Sequence, residues 1–95
     1  MKIRLLTDDE HSALGAELSG MEARLSIDGT EEDHKAMWKE AISDPSIAVL
    51  ILSRTVYEDL IDWAQDHQKS GKAPLLIQLP DYGKFFESDE EAENG

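Results

Sequence analysis

Two neighbouring carboxylates, Asp8 and Asp9, come closest in type and spacing to a catalytic or metal-binding pair. They follow a short apolar stretch, where paired carboxylate oxygens could bind Mg²⁺ and support a small enzyme activity. Acidic residues at this place also stabilise the N-terminus of a following helix electrostatically. The sequence favours that structural role for the pair.

No other group of side chains has the spacing of an active site. The three histidines, His11, His34 and His67, fall on three different predicted helices and lack the spacing of zinc ligands. The chain contains no cysteine, which excludes disulfides, thiol catalysis and thiolate metal sites. It also has no glycine-rich phosphate loop and no serine elbow motif. We therefore predict a binding or structural module without catalytic, cofactor-binding or metal-binding residues.

Length and charge narrow the class of protein further. A chain of 95 residues is long enough for one small domain. Nine Lys and Arg residues against 21 Asp and Glu residues give a formal charge of −12, which argues against binding to nucleic acid or to anionic lipid. The longest apolar run, Ile47–Leu52, is too short to cross a bilayer, so we expect a soluble cytoplasmic protein without membrane insertion.

Apolar periodicity predicts strands and helices in strict alternation. Four short stretches have the composition of strands: 3–6, 23–27, 47–52 and 75–79. Three amphipathic helices lie between them. Their inward-facing stripes are predicted to be His11, Leu14, Gly15 and Leu18; His34, Met37, Trp38, Ala41 and Ile42; and Val56, Leu60, Trp63, Ala64 and His67.

This alternation predicts an α/β fold with a four-stranded parallel sheet and helices on both faces. We expect the flavodoxin-like or receiver-like strand order 2-1-3-4, in which the apolar run Ile47–Leu52 is central and covered on both faces. Arg4 then lies on a central strand, and we expect its head group to reach solvent. The predicted α/β domain spans residues 1–80, and residues 81–95 form an aromatic and acidic segment, either a short helix or a disordered tail.

The Asp8–Asp9 pair and the predicted strand order are similar to those of response-regulator receiver domains. Such domains also need a phosphoacceptor aspartate after the third strand, where this chain has Ser53 and Arg54. A degenerate receiver-like domain that binds a protein partner without phosphorylation is therefore the alternative function.

A second resemblance extends over residues 2–83. Its strongest parts are the segment Ile47–Leu60, the proline-flanked strand Pro74–Pro80, and Gly83; Gly15 and Gly20 also lie where the family has glycines. In these features the chain resembles the F subunit of V-type ATP synthases and ATPases. It departs from the family pattern at three places. Arg54-Thr55 replaces a Glu-Arg pair, Gln78 replaces a common Glu, and Leu6-Thr7-Asp8 replaces a Gly-Asp ending.

The resemblance implies a mechanical function. The F subunit is a non-catalytic component of the rotating central stalk and needs no cofactor. It binds the coiled coil of the D subunit and helps to couple ATP turnover to the transport of H⁺ or Na⁺. The resemblance thus implies a cytoplasmic protein that is peripheral to a membrane-bound complex, and we expect it to be a monomer when isolated.

Two sets of residues are candidates for the partner interface. Tyr82, Phe85 and Phe86 have the spacing i, i+3 and i+4, so a helix would gather them on one stripe that could dock on a coiled coil. The second set lies in the loop after the third strand and comprises Ser53, Arg54, Val56 and Tyr57.

Overall fold

A four-stranded sheet organises residues 1–79, the part of the chain that the computed structural model describes. Strands and helices alternate as the sequence predicts, with one additional break in the third helix. In chain order the elements are β1 (Lys2–Thr7), α1 (Glu10–Leu18), β2 (Glu22–Leu25), α2 (Glu31–Ile42), β3 (Ile47–Leu52), α3 (Arg54–Asp59), α4 (Ile61–Ser70) and β4 (Leu75–Gln78).

All strand pairs are parallel, and the strand order is β2-β1-β3-β4. The predicted fold class and strand order are therefore confirmed, with β1 and β3 in the centre. Right-handed crossovers that move in one direction across a sheet place their helices on one face. Accordingly α2, α3 and α4 pack on one face, whereas α1 packs on the other, against β1 and β2.

The main core lies between the sheet and α2, α3 and α4. Leu6, Leu50 and Leu52 of the two central strands are completely buried there. The helices contribute side chains that are also buried: Trp38, Ala41, Val56, Leu60 and Ala64. These positions agree with the predicted stripes of the second and third helices.

The opposite face is packed less completely than predicted. Val49 and Ile51 of β3 are only half-buried, because α1, the helix that residues 1–79 place on this face, lies over β1 and β2. Within the described residues, the expectation that the third strand is covered on both faces is thus correct for one face and incomplete for the other.

The predicted inward stripe of α1 is wrong. Ala13 and Ala16 face the sheet and are buried, whereas Leu14 and Leu18 are exposed. Small side chains let the helix backbone lie close to the strands, and this close approach determined which stripe faces inward. Asp9 caps the helix, since its Oδ2 atom accepts a hydrogen bond from the backbone N–H of Ser12 at 2.9 Å.

Arg4 also differs from expectation, because its side chain is buried instead of reaching solvent. Its Nε and Nη2 atoms donate hydrogen bonds of 3.0 and 2.8 Å to Oε1 of Glu22 on the neighbouring strand β2. Asp44 and Glu40 lie 3.7 and 3.6 Å from the guanidinium. A cation on a central strand is thus compensated by surrounding carboxylates rather than by water.

The third predicted helix is divided into α3 and α4 at Leu60, which has the non-helical dihedrals φ −110° and ψ 19°. Both halves keep their inward residues, since Val56 and Ala64 are completely buried on either side of the break. Gly71, with φ 68°, ends α4 in the left-handed conformation as expected of a C-terminal glycine.

Candidate functional site

The carboxyl ends of β1 and β3 are adjacent and carry most of the polar residues that the sequence singled out. The backbone N–H of Ser53, the first residue after β3, donates to the carbonyl of Leu6 at 3.0 Å. This bond fixes the loop after β3 beside the loop after β1. In open α/β sheets such an edge is the usual place for a binding site.

Asp8 and Thr55 link these two loops. The Thr55 hydroxyl donates a hydrogen bond of 2.8 Å to Oδ1 of Asp8. The side chain of Asp8 thus tethers the start of α3 to the end of β1. The role that this geometry supports is local ordering of the edge.

Asp9 has a different set of partners. Its Oδ2 atom accepts from the hydroxyl of Ser12 at 2.7 Å as well as from the Ser12 backbone. The Ser12 hydroxyl bond is the main cause that lowers the pKa of the Asp9 carboxyl below its ordinary value, and the Ser12 backbone bond adds to it. The carboxylate is therefore engaged as a helix cap, in agreement with the structural role that the sequence favours.

The described residues contain no cluster of side chains that could bind a metal ion. Within residues 1–79, no three His, Cys, Asp or Glu side chains are arranged to hold a metal ion. His11 is exposed on α1, His34 is buried under α3, and His67 bonds to the carbonyl of Pro74 at 2.8 Å. The three histidines thus lie in separate environments.

The predicted interface residues after β3 lie on α3 and not in a loop, apart from Ser53, and they are of two kinds. Ser53 is half-buried, and Arg54 is exposed, with its Nε atom 2.9 Å from Oε1 of Glu58. Val56 is completely buried in the core, and Tyr57 is half-buried and packs against that core. A partner at this edge can therefore contact Ser53, Arg54 and part of Tyr57, whereas Val56 supports α3 from beneath.

The aromatic half of the predicted interface, Tyr82, Phe85 and Phe86, lies outside the described residues. The predicted boundary between the domain 1–80 and the segment 81–95 also lies outside the described residues.

Sequence reasoning missed two polar arrangements on the helical face. His34 of α2 contacts Asp59 of α3, which is 25 positions later in the chain, and no local pattern indicates that pairing. The ring of Trp63 is half-buried and lies 5.4 and 5.6 Å from the ammonium groups of Lys35 and Lys39. The sequence placed Trp63 in the inward-facing stripe of the third helix, and the structure leaves its ring half-buried.

A third feature that sequence reasoning missed is the apolar composition of β4. The edge strand β4 has apolar residues on both of its faces, and Leu75 and Ile77 remain exposed on the face that carries α1. An edge strand usually has one polar face. The strand β4 departs from this pattern, because Leu75, Leu76 and Ile77 put apolar side chains on both faces.

Among residues 1–79, no helix is long and apolar enough to span a membrane.

The protein folds as a small doubly wound α/β domain. The carboxylates of Asp8 and Asp9 accept hydrogen bonds from Thr55 and Ser12, respectively. A family model of the ATP synthase (F/14-kDa) subunit matches residues 3–94. The chain therefore belongs to this family of V-type and A-type ATP synthase subunits, accessory components of a rotary ion-transporting complex. A comparison with curated proteins gave no match.

Proposed function

We propose that the protein is a non-catalytic component of the central stalk of a V-type rotary ATPase or ATP synthase. It binds the coiled coil of the D subunit, turns with it, and helps to couple ATP turnover to the transport of H⁺ or Na⁺. The observation that carries this proposal is the family match, which extends over residues 3–94. In this function the protein is cytoplasmic and peripheral to the membrane-bound complex.

The carboxyl edge of the sheet is one part of the proposed docking surface. Ser53 connects β3 to α3, Arg54 and Tyr57 lie on α3, and the Asp8–Thr55 hydrogen bond holds the start of this helix in place. An ordered segment loses little conformational entropy when a partner binds. The buried Val56 contributes by fixing α3 to the core.

The other part of the proposed docking surface comprises Tyr82, Phe85 and Phe86. Their spacing i, i+3 and i+4 would place them on one stripe of a helix, the arrangement that docks in the groove of a coiled coil. Aromatic anchors of this kind dominate the binding energy of many interfaces. The formal charge of −12 would favour a partner with basic side chains and make the association rate sensitive to salt.

The proposal is tested by capture of the chain on the immobilised coiled-coil stalk component of the same rotary ATPase. The wild-type chain should be retained, and the double variant Phe85→Ala/Phe86→Ala should bind about thirtyfold more weakly or worse, because truncating anchor residues costs at least about 2 kcal/mol. Leu18→Ala is the matched control, since this exposed apolar residue lies on α1.

Failure of the wild-type chain to bind would overturn the proposed function. Undiminished binding by a folded Phe85→Ala/Phe86→Ala variant would instead move the interface to the start of α3 at Ser53–Tyr57. An Arg54→Ala/Tyr57→Ala variant then tests that surface directly.

The absence of catalysis is part of the same proposal. We expect no ATP hydrolysis by the purified chain, since Asp8 and Asp9 are engaged by Thr55 and Ser12. Turnover that disappears in an Asp8→Ala variant would contradict this expectation.

A further inference from the structure

The helix α1 places its larger apolar side chains on the side that faces away from the sheet. Leu14 is 55% exposed and Leu18 is 79% exposed, and the two residues are one helical turn apart. The buried residues of the same helix are Ala13 and Ala16, which face β1 and β2. The two leucines therefore contribute little to the core formed by residues 1–79.

A glycine gives this exposed surface its shape. The residues His11, Leu14, Gly15 and Leu18, here called the outer stripe, have the spacing i, i+3, i+4 and i+7, and all four are exposed. Four residues at this spacing form the hole into which a side chain of a facing helix inserts. A Cβ atom at Gly15 would meet nothing within 4 Å, so the space above this residue is open.

Nothing in the described part of the chain requires a glycine at position 15. Its φ is not positive, and no neighbouring atom would contact an added Cβ. A glycine inside a helix costs about 0.5–1 kcal/mol relative to alanine, but it lets another molecule approach the backbone closely. Gly15 therefore indicates a contact that residues 1–79 do not supply.

The charge beside the outer stripe indicates the chemistry of the partner. Glu10 and Glu17 are exposed and lie two turns apart on α1, which contains no Lys or Arg. Among residues 1–79, neither carboxylate forms an ion pair. Basic side chains on a partner would complement them.

The same charges disfavour a second copy of this chain as the partner. In a symmetric pair of α1 helices, Glu10 and Glu17 of one copy would approach those of the other. Each copy also has a formal charge of −12, so the two would repel one another. The outer stripe is thus better matched to a different protein.

We propose that the outer stripe of α1 docks a basic amphipathic helix of another protein. A large apolar side chain of that helix inserts between Leu14 and Leu18 above Gly15, and its Lys or Arg side chains pair with Glu10 and Glu17. Burial of the two leucines supplies the driving force. Since α1 and α3 pack on opposite faces of the sheet, this site is separate from the surface that Arg54 and Tyr57 of α3 contribute to the proposed stalk interface.

The probe is a fluorescent helical peptide of about 18 residues, or five turns, with a leucine stripe flanked by lysines. Fluorescence anisotropy at physiological ionic strength gives its affinity for the full-length chain. The test variant is Leu14→Gln/Leu18→Gln. The matched control is Ile27→Gln/Ile61→Gln, which removes two exposed apolar residues outside α1 and leaves the net charge unchanged.

We expect the test variant to bind the peptide about tenfold more weakly than the wild-type chain, and the control to bind within about twofold of it. Equal affinities of the two variants would overturn the proposal, and so would failure of the wild-type chain to bind. A wild-type dimer that becomes monomeric in Leu14→Gln/Leu18→Gln would also overturn it, since a second copy would then occupy the stripe.

Gly15→Leu separates a shaped site from apolar surface alone. This substitution adds exposed apolar area but fills the hole above the helix backbone. We expect peptide binding to weaken about tenfold, because the inserting side chain loses its place. Tighter binding by Gly15→Leu would contradict the proposal, since it would show that apolar area and not the hole determines affinity.

A charge-matched pair of variants tests the role of the carboxylates. Glu10→Gln/Glu17→Gln should weaken peptide binding about threefold more than Glu32→Gln/Asp66→Asn, which removes two exposed carboxylates from α2 and α4. Equal effects would show that only the net charge attracts the peptide and would overturn the assigned pairing.

Capture on the stalk coiled coil distinguishes this inference from the proposed function. Leu14→Gln/Leu18→Gln should lose peptide binding but keep its capture on the coiled coil. Loss of that capture as well would overturn the inference, since the outer stripe would then belong to the stalk interface. If the wild-type chain fails to bind the coiled coil, the peptide result is unaffected.

Discussion

The Nδ1 atom of His34 lies 2.7 Å from Oδ2 of Asp59, and this contact joins the first turn of α2 to the end of α3. The His34 side chain is 1% exposed, whereas the carboxylate of Asp59 is partly open to solvent. The Nε2 atom of His34 is buried and has no hydrogen-bond partner among the described residues. Among the described residues, Asp59 is therefore the hydrogen-bond partner of this buried imidazole, through its Nδ1 atom.

Removal of this carboxylate should destabilise the fold. In Asp59→Ala the Nδ1 atom loses its partner, and leaving a buried polar group unsatisfied costs about 1–3 kcal/mol. The free energy of unfolding is measured with urea. Asp66→Ala, which removes an exposed carboxylate of α4, should change it by no more than about 0.5 kcal/mol. Equal effects of the two substitutions would mean that the contact contributes nothing to stability.

Adjacent positions of β3 should respond differently to truncation, because they face opposite sides of the sheet. Leu50 is completely buried under the helices, and Leu50→Ala should lower the free energy of unfolding by about 2–5 kcal/mol. Ile51 is half-buried on the face that carries α1, so Ile51→Ala should cost less, by at least about 1 kcal/mol. Urea unfolding of both variants measures the difference, and similar losses would contradict the packing described for the two faces.

The Arg4–Glu22 pair should contribute a pH-dependent part of the stability. Hydrogen bonds from the Arg4 side chain are the main cause that lowers the pKa of the Glu22 carboxyl in the folded state. The stabilisation of the fold by the ionised Glu22 carboxylate is therefore fully present above the unfolded-state pKa, about 4.3. It is lost as the pH falls through the lower folded-state pKa. Glu22→Gln should be less stable than the wild-type chain at pH 7.

Thermal unfolding between pH 7 and pH 3 provides the measurement. The difference in melting temperature between wild type and Glu22→Gln should shrink as the pH falls below about 4.3. A difference that stays constant over this range would show that the ionised form of Glu22 is not what stabilises Arg4.

Two glycines should respond to alanine with opposite signs. Gly15 lies within α1, and a Cβ atom there would meet nothing within 4 Å, so Gly15→Ala should stabilise the chain by about 0.5–1 kcal/mol. Gly71 has φ 68°, a conformation that costs a residue with a Cβ atom about 1–2 kcal/mol. Gly71→Ala should therefore lower the melting temperature, whereas Gly15→Ala should raise it. A shift in the same direction for both would contradict the assigned backbone conformations.

Local sequence signals predicted the order of elements and the arrangement of the sheet. The uniformly apolar run Ile47–Leu52 indicated a central strand, and the predicted order 2-1-3-4 placed the strand 23–27 at an edge. The hydroxyl of Thr30, the residue before α2, accepts from the backbone N–H of Asp33 at 3.1 Å and caps that helix. These features are readable because they depend on residues that are close together in the chain.

The same signals predicted little about the contacts of individual polar side chains. Asp8 and Asp9 are neighbours in sequence, yet Asp8 accepts from Thr55 and Asp9 caps α1. The pairing with Thr55 spans 47 positions and exists because β1 and β3 are adjacent. The candidate edge was therefore located from the sequence, whereas the way its carboxylates are engaged was not.

By itself, the sequence of this protein determined its class, its element order and its family resemblance, since these reside in composition, period and motif. Tertiary structure decided that Ala13 and Ala16 of α1 face the sheet, that Arg4 is buried against Glu22, and that residues 1–79 leave the side chain of Ile77 exposed. Periodicity defines the stripes of a helix or strand. Which stripe faces inward, and which distant charge meets it, depends on how closely two backbones can approach once the sheet has formed.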